Sequence, residues 1–451
     1  MKKISYILSL SLALAVGFSS CKKDIKEINK INPGQFSDSD PILMITGAQL
    51  ANVLVNEGEA ARLAGIFSGQ HVGFDRQFVS YGNYVMTAGD FNTPWGNLYT
   101  EGIAQCRLVR AKAAKANNKA LNAVACITEA NMLLTASALW GDVPNTEACV
   151  DGNANPKFDK MSDVHKAAIV LLDSAIAYGA NNASYSGAYV GNHNWAQVAN
   201  TLKARAYLRM GEYAKAAAAA ANGVASGKDL LANHSQPSPG AWNLYYDFLE
   251  WNRSGYISAS GSHMEKLLDS STLYRNNAKT DESARFANYF IEDYYTPLDP
   301  NWDNGIFAAT NSFPIVSYVE NQLILAECAI RGNDLTTALT HLNNVRSYNA
   351  AELGGQYDAY VAGDFGPGQL VKGTDANDAM TKEILVEKYT SLYGQIEPWC
   401  DLRRTKNLIG ITPYTGTKLP QRFLVPQDEI NANKNAPAAG SLFDALELWP
   451  Q

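Results

Sequence analysis

Apolar residues recur along this chain with a helical period. Trp95, Tyr99, Ile103 and Cys106 step by four, four and three. Val124, Ile127, Asn131, Leu134 and Ala138 repeat that spacing with one polar interruption, and Trp195, Val198, Leu202 and Ala206 follow it. Val319, Leu323, Ala326 and Ile330 form a fourth stripe, and Leu335, Ala338, Leu342 and Val345 a fifth. Each stripe fits 3.6 residues per turn, and strand-like alternation is rare. The pattern predicts a mostly α protein.

The stripes come in pairs across short turns. In ARAYLRMGEYAKAAAAAANGV, Gly211 breaks the run and Tyr213 restarts it. In LILAECAIRGNDLTTALTHLNNVR, Gly332-Asn333-Asp334 does the same, with Asp334 placed to cap the second helix. Small residues with Gly and Tyr at the turn look like tetratricopeptide hairpins. They fall near 95–140, 161–226 and 315–347, with long irregular segments between them. The expected fold is therefore a single large domain of tetratricopeptide-like hairpins with long inserted loops. The loops at 68–94 and 227–311 are too rich in aromatics for disorder, and loops of such length are usually functional.

The N-terminus changes the picture of where the domain works. Lys2 and Lys3 precede an apolar run over 4–18 that is too short for a membrane span. The run ends in FSSCKKD, where Ser19 and Ser20 lead into Cys21. A thiol after small residues is the lipobox arrangement, so residues 1–20 read as a lipoprotein signal, Cys21 as the lipidated residue and 21–40 as a tether. The body, 41–451, would follow as one helical domain. No later stretch reads as a membrane span. Removal of the leader leaves 35 basic against 44 acidic residues, a net charge of −9, which argues against nucleic acid as a partner.

Candidate chemistry is sparse. Cys106, Cys126, Cys149, Cys328 and Cys400 show no CxxC spacing and read as small buried thiols. The histidines make no HExxH pair. In DGNANPKFD, Asp151, Asn153 and Asn155 mimic the start of a calcium loop, but Pro156 and Ser162 stand where Gly and Glu belong, so a turn is the better reading. No nucleophile elbow or phosphate loop is present. Neither catalysis nor a cofactor is expected.

Three further stretches carry a pattern: LWGDVP at 139–144, EILVEKYTSLYGQIEPWCDLRRTKN at 383–407 and LPQRFLVPQDEINAN at 419–433. In the first, Trp140 should pack on the hairpin and Asp142 should bond nearby amides. In the second, Arg403 and Arg404 stand beside Trp399 and Asp401. Together with the lipobox and the hairpins, these stretches resemble, in order, the SusD/RagB family of Bacteroidetes outer-membrane lipoproteins, most closely the shorter SusD-like subfamily. Because Arg403 and Arg404 recur with Trp399 and Asp401 in the family's pattern, the resemblance implies that they are structural ion-pairing residues. It also implies a non-catalytic, lipid-anchored protein at the outer-membrane surface. Such a protein sits over a SusC-type TonB-dependent transporter and passes it an oligosaccharide or, in some members, an oligopeptide.

A sugar site wants exposed aromatic planes with Asp, Asn or Arg beside them. Two loops interleave those residue types, at 71–95 and 242–256. The expected ligand residues are Phe74, Tyr81, Tyr84, Trp251 and Tyr256 as stacking faces, with Asp75, Arg76 and Arg253 for polar groups. Trp95 and Tyr99 belong to the core by periodicity. Two other roles fit the same pattern: a peptide-binding protein of this family, and a helical scaffold with no small ligand.

Overall fold

The computed structural model describes residues 39–235, 241–269 and 275–450. The leader and Cys21 lie outside the described residues. Eleven helices of eight residues or more occur among those described: α1 (Pro41–Asn56), α2 (Glu59–Phe67), α3 (Ala104–Lys115), α4 (Lys119–Trp140), α5 (Met161–Ala177), α6 (Trp195–Arg209), α7 (Tyr213–Ala220), α8 (Tyr318–Arg331), α9 (Leu335–Leu353), α10 (Ala376–Ser391) and α11 (Glu397–Arg404). The strands are two to four residues long and serve as ties between loops.

The helices stack in succession. α3 packs on α4, α4 on α5, α5 on α6, α6 on α7, and α7 on α8, which then meets α9 and α10. The hairpins are thus contiguous in space although long loops separate them in sequence, and the fold is the expected tetratricopeptide-like helical one. Local chemistry makes the turns. Gly211 takes φ +73° between α6 and α7. Between α8 and α9 the left-handed residue is Asn333 (φ +62°), while Gly332 stays at φ −87°. Asp334 then caps α9 by accepting from the Thr337 amide at 3.0 Å.

The α4 stripe is not a stripe. Every residue from Leu121 to Trp140 is buried, so α4 is enclosed on all sides and runs through the core, its one buried charge, Glu129, met by Arg107 at 2.8 Å and Arg110 at 2.7 Å. It has the length and apolarity of a membrane span, contrary to the expectation that no such stretch follows the leader. Its complete burial inside the bundle accounts for that composition.

The WGDVP corner joins three parts of the molecule. Trp140 donates its indole N–H to the Leu424 carbonyl at 2.8 Å, and Tyr99 donates to the Pro144 carbonyl at 2.8 Å. The Asp142 carboxylate reaches forward rather than locally: it accepts from the Met161 amide at 3.0 Å, at the start of α5, and pairs with Lys160 at 2.7 Å. An anion at a helix N-terminus is stabilised by the unpaired amides there. Cys149 also departs from expectation, lying exposed in the following loop, whereas the other four thiols among the described residues are buried.

Buried ion pairs lock the later helices together. Arg205 grips Glu320 with two contacts of 2.7 Å, and Arg209 holds Glu397 at 2.6 Å. Arg275 and Arg285 share Glu387, each at 2.8 Å. Arg404 joins Glu327 and Asp401, each at 2.7 Å, so it is the ion-pairing residue expected. Arg403 is not. Its guanidinium lies 3.6 Å over Trp399 and 4.7 Å from Trp449, and it donates to the carbonyls of Ala138 (2.7 Å) and Gln421 (2.9 Å).

Candidate ligand-binding site

The two aromatic loops meet. Val72–Gly73 pairs antiparallel with Ile257–Ser258, in the register Val72 to Ser258 and Gly73 to Ile257. The Tyr256 carbonyl continues the ladder by accepting from the amides of Phe74 (2.9 Å) and Asp75 (3.2 Å). The next segment lies alongside, because the Leu298 carbonyl accepts from the Ala259 amide (2.8 Å) and the Ser258 hydroxyl (2.7 Å). The edge of this small scaffold presents Phe74, Asp75 and Arg76 beside Tyr256.

Phe74 is 42% exposed and Trp251 65% exposed. Trp251 leans edge-on against Trp242 at 5.6 Å, which in turn packs on Tyr246 at 5.3 Å. Asp75 and Arg76 are exposed and 3.5 Å apart. Tyr256 is half-buried, with Phe78 and Phe248 against it edge-on. Arg76 (5.4 Å) and Arg253 (5.6 Å) lie over its ring, so the ring positions these guanidinium groups as cation–π partners.

Tyr81 and Tyr84 do not supply stacking faces in this structure; both are 8% exposed. The Tyr81 hydroxyl donates to Asp90 at 2.7 Å, and its ring packs on Phe78 at 5.1 Å. Tyr84, at φ +59°, lies edge-on to Phe67 and accepts from the Tyr414 amide at 3.1 Å. Burial raises the pKa of both phenols, with the Asp90 hydrogen bond adding to the effect at Tyr81, and both remain neutral donors or acceptors within the loop.

Behind the edge lies a cavity of about 410 Å³, walled by Glu59, Arg62, Phe78, Asp247, Asn252 and Arg253 among others. Arg62 projects from α2 with its guanidinium 4.2 Å over the Phe248 ring. It donates weakly to the Leu244 carbonyl at 3.4 Å, and its Nε has no partner among the described residues. Burial lowers the Arg62 pKa and raises that of the Glu59 carboxyl. Asn252 donates to Asp247 at 2.6 Å. Glu57 fixes the wall from beneath, accepting from the Leu244 amide at 2.7 Å and meeting His234 at 2.9 Å. The cavity thus offers guanidinium donors, carboxylate acceptors and aromatic edges.

Of the expected residues only Arg253 lines the cavity itself. Glu59, Arg62 and Asp247 were missed, since on their short helices nothing marks them apart from ordinary solvated charges. Tyr294 and Tyr295 were missed too. They are 92% and 58% exposed, and Tyr295 packs so closely on Gly255 that a Cβ there would fall 2.8 Å from its own. No cluster of His, Cys, Asp or Glu able to hold a metal occurs among the described residues.

Comparison with known proteins comes down to one family. A SusD-like family model, described as starch-binding and associating with the outer membrane, matches residues 33–237. No curated protein sequence matches significantly. A SusD homologue from Bacteroides uniformis superposes with a TM-score of 0.68 at 15% identity, covering 90% of this chain and 99% of its own. A chitin-binding SusD homologue from Flavobacterium johnsoniae gives 0.67 at 17%, covering 90% and 98%. A SusD-like protein from Bacteroides thetaiotaomicron gives 0.67 at 19%, covering 91% and 98%. The sequence signature over residues 33–237 and the fold over nearly the whole length agree: this chain is similar to the SusD-like family in that region and has the fold of SusD-like proteins.

Proposed function

We propose that this protein is a cell-surface glycan-binding lipoprotein. It is anchored through Cys21, captures an oligosaccharide and delivers it to a SusC-type TonB-dependent transporter in the outer membrane. The observation that carries the binding role is the joining of two loops distant in sequence into one edge. That edge carries the exposed ring of Phe74, with Arg76 and Arg253 over Tyr256, and the 242–256 loop adds exposed Trp251, next to a polar cavity of about 410 Å³. Flat rings suit the C–H faces of sugars, and the surrounding Arg, Asp and Asn groups suit their hydroxyls. The starch-binding description of the family model and the chitin-binding homologue support a glycan over a peptide.

The test is Trp251→Ala in calorimetry against panels of oligosaccharides and oligopeptides, with thermal melting in parallel. The expected cost is about 1 to 3 kcal/mol of glycan binding, with the melting point unchanged because the ring is exposed. Binding only to peptides would replace the ligand class; early melting would make Trp251 structural. The mass of the mature N-terminal peptide checks the anchor, and co-purification in mild detergent checks the transporter.

A further inference from the structure

A second cavity, remote in sequence from the aromatic loops, has a different chemistry. It measures about 270 Å³ and lies between α11 and the segments at 413–421 and 449–450. Its apolar wall includes Leu402, Leu419 and Trp449. Its charged groups are Arg403, Lys406 and Lys418, and among the described residues no aspartate or glutamate lines it. Three cations converge in a protein whose net charge is −7.

The nearby carboxylates are committed elsewhere. Glu397 is held by Arg209 at 2.6 Å, with Arg205 at 3.5 Å. Asp401 is held by Arg404 at 2.7 Å and Lys388 at 3.0 Å. Arg403 is 4% exposed, and its hydrogen bonds go to carbonyls and to the Cys400 sulfur. Those dipoles and the two indole rings orient the guanidinium without neutralising it. Burial lowers its pKa to about 10, the mark of a cation held without a full counter-charge. An anion entering the cavity relieves that cost, and its binding therefore stabilises the fold.

We infer that this cavity is a binding site for a small organic carboxylate, with Arg403, Lys406 and Lys418 supplying the charge and Leu402, Leu419 and Trp449 receiving the apolar body. A bare inorganic anion would leave that apolar wall unused. The guanidinium is fixed by its carbonyl partners, whereas the two lysines stand exposed at the rim.

The test uses the full folded chain at constant ionic strength, with benzoate as probe and benzamide as its neutral counterpart. Benzoate should raise the melting temperature and bind in calorimetry, and benzamide at the same concentration should do neither. The Lys406→Gln/Lys418→Gln double variant should fold normally, because both side chains are exposed, and bind benzoate at least about tenfold more weakly. Lys157→Gln, in a different groove, should bind like the parent. The inference is overturned by equal responses to benzoate and benzamide, or by an equal loss in Lys157→Gln. It is also overturned by undiminished binding in the double variant, or by no carboxylate binding at all, whether or not the chain itself fills the cavity.

Discussion

The arginines of the helical core and those of the aromatic loops are held in opposite ways. In the core, Arg205, Arg209, Arg275, Arg285 and Arg404 each face carboxylates at 2.6 to 2.8 Å. Around the loops, Arg62 and Arg253 make no ion pair within 4 Å among the described residues and lie against aromatic rings, while Arg76 lies over Tyr256 and pairs with exposed Asp75. A buried charge that has lost its partner is costly, so the first set holds helices in register. The second set keeps donor capacity in hand, which a polyhydroxylated ligand can take up. The distinction is one of charge, not of hydrogen bonding alone: buried Arg346 pairs with no carboxylate among the described residues either, but donates to the carbonyls of Asp358 and Lys279 and lies 3.8 Å over Tyr360.

The largest expected effect comes from breaking the core set. Glu387→Ala removes the carboxylate shared by Arg275 and Arg285, and should cost about 3 to 5 kcal/mol in denaturant unfolding. Glycan affinity, measured where the variant is still folded, should hold. A loss below 1 kcal/mol would show that the pairs are dispensable to the fold.

Next comes pH, where the two regions should respond with opposite signs. Burial opposes ionisation of Glu327 and Glu397, but Arg404 in one case and Arg205 with Arg209 in the other overcome it and hold each pKa near about 2. Their contribution is present above about pH 4.5 and lost as pH falls toward 2. Asp299, below the Tyr294–Tyr295 loop, behaves inversely. Burial and the neighbouring Asp293 raise its carboxyl to about 7, although the Thr296 hydroxyl donates to it. The folded state therefore holds a proton that the unfolded chain releases near its ordinary value of 3.8, and this contribution declines as pH rises from about 4 to 7. Asp299→Asn should flatten the decline. Unfolding midpoints across pH 2.5 to 8 read both limbs, and a single monotonic rise would refute the Asp299 limb.

The smallest effect sharpens the loop side. Arg253→Gln should leave stability within about 0.5 kcal/mol, since the residue is exposed and makes no ion pair among the described residues. It should weaken glycan binding by about 1 kcal/mol, roughly fivefold. Calorimetry beside thermal melting checks both; a drop in melting point would move Arg253 into the structural set.

The same division governs what the sequence discloses. Hairpins are legible because their causes are local: a 3.6-residue stripe, a left-handed Asn or Gly at the turn and a capping Asp three residues before the amide it accepts from. Arg404 reads as an ion-pairing residue from the pattern it shares with Asp401, three residues before it, whereas its other partner, Glu327, lies on α8. The site is less legible because partners far along the chain decide which aromatic is exposed. Tyr84 and Phe74 look alike in sequence, but Phe67 and Tyr414 enclose one ring and the loop edge leaves the other open. Asp142 shows the same limit, since its amide partner is Met161 rather than a neighbour. Glu59 and Arg62 face a cavity only because the 244–253 segment folds over α2.

The ladder between Val72–Gly73 and Ile257–Ser258 has a kinetic corollary. Contacts of such long sequence separation close a large loop before they return any energy, so they belong to the late steps of folding. The family signature ends at residue 237, before the second strand of that ladder has even been reached. A nascent or truncated chain stopping there can build its first hairpins yet holds only one side of the binding edge. If that edge binds glycan as proposed, capture is reserved for completed molecules, and a glycan-affinity step would sort finished protein from partly folded product.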